Sequence, residues 1–326
     1  MTSLSSRADL PWIYQPKIQA ILVFLWILME KMVAHVYFVT LLYTPGMPSW
    51  LPLTIGVSVG FLGCVMVWKG IHTTGNEVRE SWYGFMGGSF LWTGFLEMWH
   101  HLMGKYNAQP VIMKNGEAAF IPSFDPMLGP EGGIYPFFMG EHAYLQSTSM
   151  MCLILFFLMF TNKDVRCRML MWFRRILKMR VGMPTKTMKP QYTRVAATEY
   201  IFVNWFMYVV MLAVLDERTF GLNHPVNYVV SAGVTLWAAY IIWCQTKQRE
   251  TGLTIRYAIA TVGVFWYIPE MTTLWGWYKE PWVNFYNGSP EHNINALLML
   301  AIITAYIWLS VKYFKTPINP KSGRSW

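Results

Sequence analysis

Apolar residues gather along this chain into eight long runs, at 18–44, 51–71, 82–103, 138–161, 197–215, 226–246, 253–275 and 293–314. Each approaches or exceeds the roughly 20 residues needed to cross a hydrocarbon core. A soluble protein built from so many helices that are apolar all round would have no face left for water. The pattern predicts an all-α integral membrane protein: one bundle of about eight transmembrane helices over residues 1–326, with no separate soluble domain and no internal repeat. The first run reads as a retained span rather than a cleaved signal peptide. Its apolar stretch is too long, it carries Glu30 and Lys31, and no small-residue cleavage site follows it.

The polar stretches between the runs give the orientation. Residues 162–195 hold Lys163, Arg166, Arg168, Arg174, Arg175, Lys178, Arg180, Lys186, Lys189 and Arg194 against the single acid Asp164. The positive-inside rule places that loop in the cytoplasm. Alternation then puts both termini inside, and with them Arg7, Lys17, Lys69, Arg79, Lys247, Arg249, Arg256, Lys312, Lys315, Lys321 and Arg324. Only Lys105, Lys114, Arg218 and Lys279 fall outside. Within the basic loop Val165, Met169, Trp172, Phe173 and Ile176 recur at helical spacing. This predicts an amphipathic helix on the cytoplasmic leaflet, attracted to anionic lipid, with a docking surface for a partner as the competing reading. The outer loop 104–137 is rich in Gly and Pro, which excludes a helix there. It is too long for a plain connector, and its aromatics Tyr106, Phe120, Phe124 and Tyr135 allow it to fold back as a lid. The aromatics of the second outer loop, 276–292, suit the membrane interface.

Composition agrees with this picture. Charged residues make up 13% of the chain, about half the share of a soluble domain. The net charge of +9 is explained by topology and implies no nucleic-acid partner. Cys64, Cys152, Cys167 and Cys244 show neither CxxC spacing nor the CxxCH of c-type haem, and read as structural thiols.

The acids and histidines collect on the opposite side from the basic residues. His100, His101, His142, His224 and His292 fall at or beyond the outer ends of spans, and His35 lies in the outer half of span one; only His72 is at the inner face. Glu97, Glu141, Glu270 and Glu291 sit at the outer ends of spans three, four, seven and eight. The most specific piece is Glu97-Met98-Trp99-His100-His101. In an α-helix positions i, i+3 and i+4 share a face, so a carboxylate and one or two imidazoles point the same way. Helical bundles use this spacing in di-metal carboxylate sites, with further ligands from other helices. The candidate ligands are Glu97, His100, His101, His142 and His292, and the candidate catalytic or proton-accepting groups are Glu141, Glu270 and Glu30. Copper, iron or zinc fits such donors, and the identity stays open among them. A b-type haem between His35 and an outer histidine is a variant of the same idea. The plain alternative is a set of interfacial polar residues that water reaches, holding no metal.

Glu30, Lys31 and His35 lie inside span one, where ionisable groups cost several kcal/mol and usually face partners in the bundle. Adjacent residues on a helix are about 100° apart, so Glu30 and Lys31 need not pair with each other. Glu30 and His35 can line one polar seam leading outward, as a proton path or as plain packing against another helix or subunit. Glu199 and Asn204 in span five read as structural, Asn204 as a helix–helix hydrogen-bonding group. Pro269 frees a backbone carbonyl just before Glu270 in span seven.

Several functions are excluded by absent motifs. No Walker A loop and no GxGxxG after a strand appears, no cytoplasmic HxxxH boxes of the desaturase type, and no mid-membrane lysine in spans seven or eight for a retinal Schiff base. Three readings remain. The first is a membrane oxidoreductase, or the metal-bearing subunit of a membrane redox complex, with its site on the periplasmic face of a bacterial inner membrane. The second is a non-catalytic integral subunit that positions partner subunits. The third is a proton-coupled transporter using Glu30, against which stands the lack of an inverted repeat.

Overall fold

Helices carry the architecture of the computed structural model, which describes residues 15–43, 48, 50–73, 75–98, 113–114, 117–118, 120–122, 134–136, 168–179, 191–215, 219–277, 290–315, 318–319 and 324–325. In chain order they are α1 (Pro16–Tyr43), α2 (Trp50–Ile71), α3 (Glu77–Leu91), α4 (Arg168–Ile176), α5 (Tyr192–Leu215), α6 (Pro225–Gln245), α7 (Thr251–Leu274) and α8 (Pro290–Phe314). A π-helical turn, Trp92–Glu97, continues α3 without a break. Long helices thus stand at seven of the eight apolar runs; the run 138–161 lies outside the described residues. Three two-stranded antiparallel ribbons complete the described residues. Met113–Lys114 pairs with Glu117–Ala118, Phe120–Pro122 with Ile134–Pro136, and Ile318–Asn319 with Arg324–Ser325.

Five helical segments are long and apolar enough to cross a membrane: Pro16–Tyr37, Trp50–Ile71, Tyr192–Leu215, Pro225–Gln245 and Ile294–Phe314. Their packing is that of a membrane protein. Leu236 and Val229 on α6, Phe61 on α2 and Leu297 on α8 are exposed, whereas Glu30, Lys31, Glu199 and Arg256 are buried. In water that arrangement would forfeit the main driving force of folding. In lipid it places apolar side chains against the tails and lets polar groups satisfy one another inside. Trp68, Trp243 and Trp308 lie exposed near one end of the bundle, with the Lys247 ammonium 3.0 Å from the Trp243 ring centroid and Lys312 5.7 Å from that of Trp308. Tyr228 stacks on Trp275 near the other, with Trp277 tilted against Trp275. Such belts suit the two membrane–water interfaces.

α7 is the hub. It packs against α1, α3, α5 and α6, and it is not among the five most apolar segments because neighbouring helices, rather than lipid, cover it. α3 packs between α2 and α5, on glycines. A Cβ on Gly84 would come within 2.3 Å of the Thr193 carbonyl of α5, and one on Gly63 of α2 would meet the Leu91 backbone at 2.8 Å. Small residues that let helix backbones touch are the usual means of association where no hydrophobic drive operates between helices.

α3 and α5 begin earlier than their apolar runs predict, because polar contacts fix their first turns. The Asn76 side chain caps α3 by accepting the Arg79 N–H at 3.0 Å. Arg256 of α7 donates to Glu77 at 2.5 Å and to Ser81 at 2.7 Å, and Thr193 of α5 donates to the Glu80 carbonyl at 2.9 Å. Burial raises the Glu80 carboxyl above its ordinary range, against hydrogen bonds from the Tyr192 and Gly75 backbones that lower it. A carboxyl raised on folding binds protons more readily in the native state. Its effect is therefore a stability loss that sets in as pH rises from the unfolded value through the folded one. Glu80→Gln is expected to stabilise the protein at neutral pH, with the difference fading below about pH 4, where both states hold the proton. Unfolding midpoints of the two proteins across pH check this.

The basic loop supplies the expected short helix. α4 lays Trp172 parallel to Trp237 of α6, with centroids 6.4 Å apart, and Phe173 edge-on to Phe206 of α5. Arg175, Ile176 and Leu177 stay exposed, while Arg174 is buried.

Candidate functional site

The ionisable residues of α1 do not stand alone. Glu30 lies midway along the helix, 3% exposed, and its carboxylate accepts the Tyr200 hydroxyl of α5 at 3.0 and 2.9 Å from its two oxygens. Ser89 of α3 donates to it as well. Lys31 turns to another side: its ammonium donates to Asn204 Oδ1 at 2.5 Å and lies 4.5 Å from the centroid of the Tyr200 ring. Asn204 Nδ2 donates in turn to the Tyr200 carbonyl at 2.7 Å. Glu30 and Lys31 therefore take separate partners, as their helical azimuths require, while remaining electrostatic neighbours.

The second half of the cluster lies one turn farther along. His35 Nδ1 is 3.7 Å from Glu270 Oε1 of α7, and the Trp266 indole N–H donates to the same oxygen at 2.8 Å. Trp266 is four residues before Glu270, so one face of α7 aims both at α1. Glu97 closes the set from α3. The π turn begins at Trp92 and ends at Glu97, with the Met98 N–H bonded to the Thr93 carbonyl. That wider turn spans five residues and brings the Trp92 side chain into hydrogen-bond contact with Glu97. Single π turns inside α-helices concentrate at functional sites. Lys31 is the cation that Glu30, Glu97 and Glu270 share, and Glu97 also feels His35. His35, Glu97 and Glu270 all lie about 20 residues, or roughly 30 Å, from the first residues of their helices. The three helices start side by side, with Thr251 donating to Gln19 and Arg256 to Glu77, so the three residues stand at about one level.

Four helices thus contribute to one polar seam, buried at Glu30 and Lys31 and half-buried toward His35, Glu97 and Glu270: Glu30, Lys31 and His35 come from α1, Ser89 and Glu97 from α3 and its π turn, Tyr200 and Asn204 from α5, and Glu270 from α7. Among the candidates from the sequence, Glu30, Glu97 and Glu270 are brought together. His100, His101, Glu141 and His142 lie outside the described residues, as do the side chains of Glu291 and His292. Ser89, Tyr200, Trp92 and Trp266 are members that the sequence reading does not single out. His224 takes a structural part: its Nδ1 accepts the Val226 N–H at 3.3 Å and caps α6.

Among the described residues, no group of three or more His, Cys, Asp or Glu side chains is placed to hold a metal ion. Comparisons of the chain with family models, with curated proteins and with solved structures find no match.

Proposed function

We propose that the chain is an eight-span membrane protein with both termini in the cytoplasm, and that it acts as a membrane oxidoreductase or as the metal-bearing subunit of a membrane redox complex. Glu97 opens the ligand set, with His100, His101, His142 and His292 as the further ligands and copper, iron or zinc as the metal. The seam of Glu30, Lys31, His35 and Glu270 is the proton-handling part of the same site. Glu270 and Glu30, with Glu141, are its proton acceptors. The observation that supports this reading is the position of Glu97. A π turn ends at Glu97, within electrostatic reach of His35, Lys31 and Glu270, and the sequence runs on from there to His100 and His101. Ionisable groups are costly in the membrane interior and mark proton relays or ligand sites there.

Elemental analysis of the detergent-purified protein tests the proposal. About one or more transition-metal ions per chain is expected, with loss in Glu97→Ala and in His101→Ala. A well-folded native protein that is free of metal and takes none up on add-back overturns the metal part. It leaves the non-catalytic integral subunit and the third reading, a proton-coupled carrier, which rests on Glu30 being buried at mid-helix with its carboxylate bound by Ser89 and Tyr200. That reading requires flux in liposomes that Glu30→Gln abolishes.

A further inference from the structure

A second polar feature lies away from the seam. α4, α5, α6 and α7 enclose a half-open cavity of about 490 Å³, within the size range of small-molecule sites. Its lining is graded from mouth to floor. Trp172, Arg175 and Tyr240 stand exposed at the mouth. Trp237, Tyr257 and Ile241 form half-buried walls. The floor is Glu199, Thr261 and Val264, of which Glu199 is 1% exposed.

We propose that this cavity binds a quinol: a planar ring with hydroxyl groups, carried on an apolar tail and entering from the lipid of the cytoplasmic leaflet. Four aromatic side chains line the space, Trp172, Trp237, Tyr240 and Tyr257, and offer flat faces to a planar ring. A buried carboxylate at the floor is an acceptor for hydroxyl donors when ionised, and a charge-assisted hydrogen bond is the stronger kind. The mouth is formed by exposed Trp172 and Tyr240 on the outward side of the bundle, so an apolar tail has lipid to run into. The rival occupant is an anionic phospholipid with its phosphate on Arg175. It fits the mouth, but its aliphatic chains make no use of the four flat aromatic faces inside. The site is reached from the α4 side and does not depend on the metal reading of Glu97.

The test uses the full chain in phosphatidylcholine nanodiscs, titrated with a decyl-tailed benzoquinol and followed by tryptophan fluorescence. Saturable quenching is expected. Its affinity should fall at least tenfold in Ala260→Phe, which fills the cavity, and about tenfold in Glu199→Gln. Val229→Phe, on the exposed face of α6, should leave it unchanged. If Ala260→Phe does not fold, Trp237→Leu removes a wall without adding bulk and should show the same loss. Quenching that rises linearly with quinol, equally in all variants, reports partition into lipid and overturns the proposal. So does saturable binding indifferent to both cavity variants. So too does competition by added phosphatidylglycerol that Arg175→Gln relieves, which assigns the cavity to a lipid headgroup.

Discussion

Lys31→Met is expected to cost about 3–5 kcal/mol of stability, the scale on which removing one partner of a buried charge cluster acts. Lys31 is 8% exposed and lies within electrostatic reach of Glu30, Glu97 and Glu270. Methionine fits the same volume but donates nothing to Asn204 Oδ1 and leaves the neighbouring carboxylates without that cation. The loss should appear as a lower midpoint in detergent-induced unfolding. Adding Glu30→Gln to Lys31→Met should recover part of it, because the double change removes a charge together with its counter-charge, and the non-additivity measures their coupling. A loss below about 1 kcal/mol would mean that water reaches the cluster and screens it as it does an exposed pair.

Gly94→Ala is the second large effect. A Cβ there would stand 2.4 Å from the Gly60 nitrogen and 2.5 Å from the Gly56 carbonyl oxygen. Both obstacles are α2 backbone, so no side chain can swing aside, and α2 and the π turn must separate. Overpacking of this kind costs about 1–3 kcal/mol, and more where backbone must move. Because Gly94 lies within the turn that ends at Glu97, the variant should also lower metal occupancy if the proposed ligand set is right. Gly233→Ala on α6 is the matched control: nothing stands within 4 Å of its Cβ, and alanine there should be neutral or stabilising by up to about 1 kcal/mol. Unfolding midpoints of both variants against the native chain decide the matter. Equal, small effects would mean that the α2–α3 contact is looser than the glycine packing implies.

The helices were legible because lipid-facing and buried positions alike are apolar. The runs at 51–71 and 226–246 match α2 and α6 almost residue for residue. Hydropathy fails where polar contacts begin a helix, as at Asn76 and at Glu77 with Arg256, since the contact spans 179 positions of chain. The candidate site divides along the same line. Glu30, Lys31 and His35 stand out because charge in an apolar run is rare, and Glu97 and Glu270 stand out at span ends. Their convergence was not readable, since nothing in one sequence gives the order of helices in a bundle. Ser89, Tyr200 and Trp266 were missed for a different reason. Each is an ordinary residue in an apolar helix until its hydroxyl or indole finds a carboxylate. The π turn has no signal that the apolar pattern carries; Gly94 is its nearest trace, and only the backbone contact with α2 shows why glycine is needed there.

The place of α7 at the hub bears on how the protein is made. A segment holding Arg256 near one end and Glu270 near the other is a poorer solute for lipid than the five apolar segments, because each charge opposes insertion, more so the deeper it lies. Its polar partners, Glu77 for Arg256 and His35 for Glu270, belong to helices synthesised earlier. The nascent chain must therefore keep α1, α3 and α5 gathered at the insertion machinery until α7 emerges, and release the bundle to the bilayer as a group rather than helix by helix.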